Sequence, residues 1–76
     1  MKEKVTRFII DKLLSGMTIG VQDDLLLSGL VDSMGVMRLV AFIEEETGLK
    51  VPPEDIVIEH FVNIDAIVRY LEARAA

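Results

Sequence analysis

The chain has no cysteine and no tryptophan among its 76 residues. Without cysteine, neither a disulfide nor a thiolate metal site can staple the fold. Basic residues are the minority, 8 Lys and Arg against 13 Asp and Glu, giving a net charge of -5. A nucleic-acid partner requires a basic surface to neutralise phosphate, so that class is excluded. Long apolar runs are also missing. Hydrophobic residues make up 51% of the chain, but charges interrupt them everywhere, so no stretch has the length of a membrane span. The opening MKEKVTRFII carries Glu3, turns polar again at Asp11 and Lys12, and shows no small-residue cleavage site. It does not read as a signal peptide, and a cytoplasmic location is the expectation. There is no internal repeat and no low-complexity segment.

What is present is an apolar composition in a short chain. One domain spanning 1–76 is expected, with a modest core and marginal stability. Residues 2–14 read as an amphipathic helix, with Val5, Phe8, Ile9 and Leu13 at spacings of three and four. Ser15 and Gly16 end it. Residues 15–32 then form one long connection, punctuated by Gly16, Gly20 and Gly29 and carrying Asp23 and Asp24. Its apolar residues are too many for a free linker. Leu26 and Leu30 are expected to plug the core, making the connection an ordered lid. A connection of this length in so small a domain points to function.

Residues 33–47 give the clearest helix, with Asp32 or Ser33 as the N-cap and Gly48 at the exit. Pro52 and Pro53 force a turn. Residues 56–62 fit either a short helical turn or an irregular crossing. Asn63 caps a last helix whose stripe is Ile64, Ile67, Val68 and Leu71. The expected fold is therefore all-α: a small antiparallel bundle of three main helices plus a short third helix, with a long ordered loop between the first two.

A helix turns by about 100° per residue. On the second helix this gathers Val36, Leu39, Val40 and Ile43 on one side as the core face. The other side holds Met34, Met37, Arg38, Ala41, Glu44 and Glu45. A methionine pair ordinarily fills a core. Here the core face is already supplied with branched residues, and the methionines share their face with charges. Exposed methionine suits a surface that meets several partners. That face begins beside Ser33. A nucleophilic serine needs a base held by a third group, and the one histidine, His60, reads as a surface or half-buried residue. No glycine-flanked elbow surrounds Ser33. The serine therefore reads either as a plain helix cap or as the substrate of another enzyme. Asp23-Asp24 and Glu44-Glu45-Glu46 lack the spacing of a calcium loop, and no glycine-rich phosphate loop occurs.

The stretch Gly29-Leu30-Val31-Asp32-Ser33-Met34 resembles the phosphopantetheine attachment site of acyl carrier proteins, whose usual pattern is Gly-Leu/Ile-x-Asp-Ser-Leu. Leu39 through Pro52 resembles the family's second helix and its exit. Asp23-Asp24 with Leu25 to Leu27 resembles its acidic loop motif, and Phe61 to Ile67 resembles the start of its last helix. The likeness covers essentially the whole chain. It implies a stand-alone, non-enzymatic carrier whose 4'-phosphopantetheine arm, taken from coenzyme A by a phosphopantetheinyl transferase, is joined to Ser33 through a phosphodiester. The arm's thiol would hold acyl or aminoacyl groups as thioesters, in fatty-acid or secondary-metabolite biosynthesis. Asp32 would help the transferase hold its metal and coenzyme A. Met34, Met37 and Ala41 would be apolar contacts for partners, with Arg38, Glu44 and Glu45 as charged ones. The implied partners are the transferase, an acyl- or aminoacyl-loading ligase and a downstream acyltransferase or synthase, with no nucleic acid and no membrane, and the carrier itself a monomer. The alternative is a helical interaction module without a prosthetic group.

Two positions depart from the fatty-acid carriers. Gly35 stands where they often have Asp, and Arg38 where they usually have Glu. Both changes are expected to remove negative charge from the docking helix, which points to a dedicated partner set. The Phe61 to Ile67 segment looks closer to peptidyl or D-alanyl carriers.

Overall fold

The computed structural model describes residues 2–75. Helix α1 (Lys2–Phe8) runs on into a π-helical turn (Ile9–Leu13), and α2 (Ser33–Thr47) follows the long loop. A 3₁₀ turn (Pro53–Asp55), the short α3 (Ile58–Phe61) and α4 (Ile64–Ala75) complete the order. There is no strand among the described residues. The all-α expectation holds, and the ambiguous segment 56–62 resolves as the short helix.

The first helix departs from a plain α-helix. Leu14 N–H donates to Ile9 C=O at 3.0 Å, a π-type bond to the fifth residue back. The wider turn accommodates one extra residue and brings Leu14 into the core, where Val5 and Ile9 are already fully buried. Phe8 and Leu13 pack at its margin, and the Phe8 ring stacks on Phe42 with centroids 4.3 Å apart. From α2 the core takes Leu39, Val40 and Ile43; from α4 it takes Ile64, Ile67, Val68, Tyr70 and Leu71. Asn63 caps α4 as its position implies, its side-chain oxygen accepting from Ala66 N–H at 2.7 Å.

The long loop is ordered by its own hydrogen bonds. The Asp24 carboxylate accepts from Leu26 and Leu27 N–H at 2.9 and 2.8 Å, and Asp23 accepts from Gly20 N–H at 2.8 Å. Asp23 and Asp24 thus brace the loop. Leu25 N–H reaches Val62 C=O at 2.7 Å, and Asp65 N–H reaches Val21 C=O at 3.0 Å, which ties the loop to the α3–α4 corner. The plugs are not the expected pair. Leu25 and Val31 are the buried residues; Leu26 packs only at the core's edge, and Leu30 is exposed. The tie from Leu25 to Val62 fixes which leucine faces inward, and no local pattern announces it.

Below α3, Tyr70 donates to Asp55 at 2.6 Å, and Arg74 pairs with the same carboxylate at 3.6 Å. Burial, reinforced by the hydrogen bond to Asp55, pushes the Tyr70 hydroxyl from 10.0 up to about 12. A raised folded-state value means that the neutral phenol's contribution is whole below pH 10 and is lost as pH climbs towards 12. Tyr70 is the only tyrosine. Thermal melts across that window are therefore expected to show stability falling with pH in the wild type and falling less in Tyr70→Phe. Equal slopes in the two proteins would refute the assignment.

Candidate functional site

The entry to α2 is built from the loop upward. Gly29, at φ 82°, takes a left-handed turn that a side chain would strain. Its N–H donates to Leu26 C=O at 3.1 Å, and Val31 N–H then returns to Leu25 C=O at 2.8 Å. This closed turn delivers Val31 to the core and Asp32 to the helix start. Asp32 is extended, with φ -95° and ψ -176°, and its carboxylate accepts from Gly35 N–H at 2.8 Å. Asp32 is the cap, so the capping alternative for Ser33 falls. Ser33 is the first helical residue and is exposed, and the cap does not use its hydroxyl. The amino end of α2 carries partial positive charge, a setting that favours a phosphate.

An open cleft of about 520 Å³ lies beside Ser33. Its walls are Leu26, Val31, Val36, Met37, Ile56, Val57, Ile58 and Phe61, with Asp32 and Ser33 at the rim. Across α2 lies a second depression, of about 380 Å³, bordered by Leu13, Leu30, Asp32, Met34, Gly35 and Arg38. Ser33 therefore stands at the edge of an apolar cleft, with a mixed surface behind it.

The exposed face of α2 matches the periodic reading for most of its members. Met34 is 72% and Met37 54% exposed, and Arg38, Ala41 and Glu45 are exposed with them. The ion pairs among the described residues involve Lys4, Arg69 and Arg74, not Arg38. Glu44 differs. It is half-buried, and its carboxylate accepts from Val51 N–H at 2.8 Å, bracing the helix exit. Gly35 differs more. It is buried, so a residue there faces the protein interior.

Sequence reasoning missed six exposed apolar residues: Met17, Val21, Leu27, Leu30, Val57 and Ile58. Three leucines in a row, Leu25 to Leu27, were the available signal, since consecutive residues cannot all face one core. His60 has a structural place. Its Nδ1 lies 2.8 Å from Asp55 C=O, which can only accept, so Nδ1 carries the proton, and its ring stacks on Tyr70 at 4.7 Å.

Fold and site together define a small helical protein that presents an uncommitted serine at a helix start, beside an apolar cleft. A family model for the phosphopantetheine attachment site matches residues 9–71, most of the chain. The chain belongs to that family: it is a non-catalytic carrier of covalently attached 4'-phosphopantetheine. No curated protein matches it. The residues present fit the group. An exposed hydroxyl is left out of the cap, the helix end favours a phosphate, and the neighbouring cleft has room for a flexible chain. A carrier of this kind meets a phosphopantetheinyl transferase and the enzymes of its pathway. No helix among the described residues is long and apolar enough to cross a membrane.

Proposed function

We propose that Ser33 is the residue that carries the arm and that the chain works as one domain, a monomer in the cytoplasm, presenting acyl or aminoacyl cargo to a specialised set of enzymes. The observation that carries the attachment is the division of labour at the start of α2: Asp32 caps, and Ser33 is left exposed. The arm supplies the thiol that this cysteine-free chain lacks. Ser33 holds the arm covalently, and Val36, Met37 and Ile58 offer it an apolar wall. Asp32 has its Oδ1 committed to Gly35 N–H and its other oxygen available to the metal that a transferase brings. Met34, Met37 and Ala41 form the apolar docking contacts, with Arg38, Glu44 and Glu45 as their charged neighbours, Glu44 through what its bond to Val51 leaves free. The test is incubation with coenzyme A and a broad-specificity transferase, read by intact mass. One arm per chain is expected. No addition under conditions that load a known carrier would overturn the reading.

Arg38 supports the specialised partner set. A free cation beside Met34 on the docking face repels the basic patch of a partner made for an acidic helix, and such rim charges act mainly on association rate. Arg38→Glu, loaded and offered to fatty-acid synthase enzymes, is therefore expected to gain activity by roughly five- to tenfold over wild type, the effect of about 1 kcal/mol at an exposed pair. No gain would count against a dedicated partner set.

A further inference from the structure

Gly35 lies in the first turn of α2, two residues beyond Ser33, and is buried. Glycine inside a helix is less favourable than alanine, so its presence calls for a local cause. The cause is space. A Cβ at position 35 would lie 2.8 Å from Val31 Cγ1 and 3.7 Å from Leu13 Cδ2. Contact with Leu13 is ordinary; contact with Val31 is not. Val31 is poorly placed to yield. It is β-branched and stiff at χ1, it is buried, and its N–H is held by Leu25 C=O at 2.8 Å. The end of the first helix, the long loop and α2 therefore meet where α2 has no side chain.

The same residue holds the cap. Gly35 N–H donates to Asp32 Oδ1 at 2.8 Å, and an added Cβ would stand 3.5 Å from that oxygen, an ordinary distance. A side chain at 35 would leave the cap acceptor room. Its effect would pass through Val31, the residue that immediately precedes Asp32 and Ser33. We propose that Gly35 is a positioning residue for arm loading: by letting Val31 close directly onto the first turn of α2, it fixes where Asp32 and Ser33 stand for the transferase. The proposal rests on Ser33 being the attachment residue.

The experiment compares wild type, Gly35→Ala, Val31→Ala and Gly35→Ala/Val31→Ala as transferase substrates. It is run at a temperature where melting curves show each to be folded, and kcat and KM are measured separately. Gly35→Ala is expected to load with kcat/KM lowered by roughly ten- to a hundredfold, mostly in kcat, because the misplacement affects alignment more than encounter. Trimming Val31 removes the clash, so the double variant is expected to match Val31→Ala. A folded Gly35→Ala that loads like wild type overturns the proposal, as does a loss that persists in the double variant. If Gly35→Ala alone does not fold, the double variant against Val31→Ala decides: equal kcat is expected, and a tenfold deficit overturns it. Failure of wild type to load sinks this proposal and the attachment reading together. Normal wild-type loading with no Gly35 effect sinks this one only.

Discussion

Ser33→Ala is expected to fold and melt like wild type and to take up no arm. The two halves of that expectation have separate causes. Stability is untouched because the cap bond belongs to Asp32 and Gly35, not to Ser33. Ser33 is exposed at the first helical position, where alanine is at least as good a helix former, so the change in stability is within about 0.5 kcal/mol. Loading is abolished because no other hydroxyl has the same setting. Ser28 Oγ is committed to Asp24 C=O at 2.5 Å, and Thr47 Oγ1 to Ile43 C=O at 2.7 Å. Ser15 sits at φ 54° just past the first helix, with no long helix start behind it. Intact mass after transferase treatment, with a circular dichroism melt of the same sample, reads both halves. An arm found on the variant, or a melt far below wild type, would contradict the expectation.

The two helix faces that matter were legible because they are periodic. Val36, Leu39, Val40 and Ile43 recur on one side of α2, and Met34, Met37, Arg38 and Ala41 on the other; the structure buries the first set except Val36, which is half-buried at the cleft, and exposes the second. Asn63 was legible as a cap because capping chemistry is local. What was not legible depends on partners distant in sequence. Glu44 has the spacing of an exposed residue, yet Val51 N–H draws it to the helix exit. Gly35 looked like a missing charge; its meaning lies in Val31, which reaches it through a turn closed by Gly29. The π turn depends on the same kind of information. The pattern Val5, Phe8, Ile9, Leu13 is an ordinary helical one, and only the burial of Leu14 requires the extra residue. Among the loop leucines, the bond from Leu25 to Val62 chose the inward-facing member.

That dependence on long-range anchors makes Phe61 a sensitive core position. Phe61→Ala is expected to cost about 3–5 kcal/mol. A 76-residue chain has a total stability of roughly 4–11 kcal/mol, so this single change removes a large share of it. The reason lies in α3. Four residues are too few to hold a helix by their own hydrogen bonds. At its front the segment is tied by the 3₁₀ turn, where Asp55 receives Tyr70 and Arg74. At its back Phe61, 2% exposed, is set against Tyr70 with ring centroids 6.0 Å apart. Removing that ring takes away the back anchor and one wall of the cleft beside Ser33. In a chain of this size 1 kcal/mol corresponds to about 4–8 °C, so the melting midpoint is expected to fall by at least roughly 12 °C. Ile58→Ala provides the comparison. It lies in the same short helix, but it is 54% exposed and is expected to move the midpoint by only a few degrees, since its loss is within about 0.5 kcal/mol. If the two variants melted alike, α3 would be held by something other than Phe61.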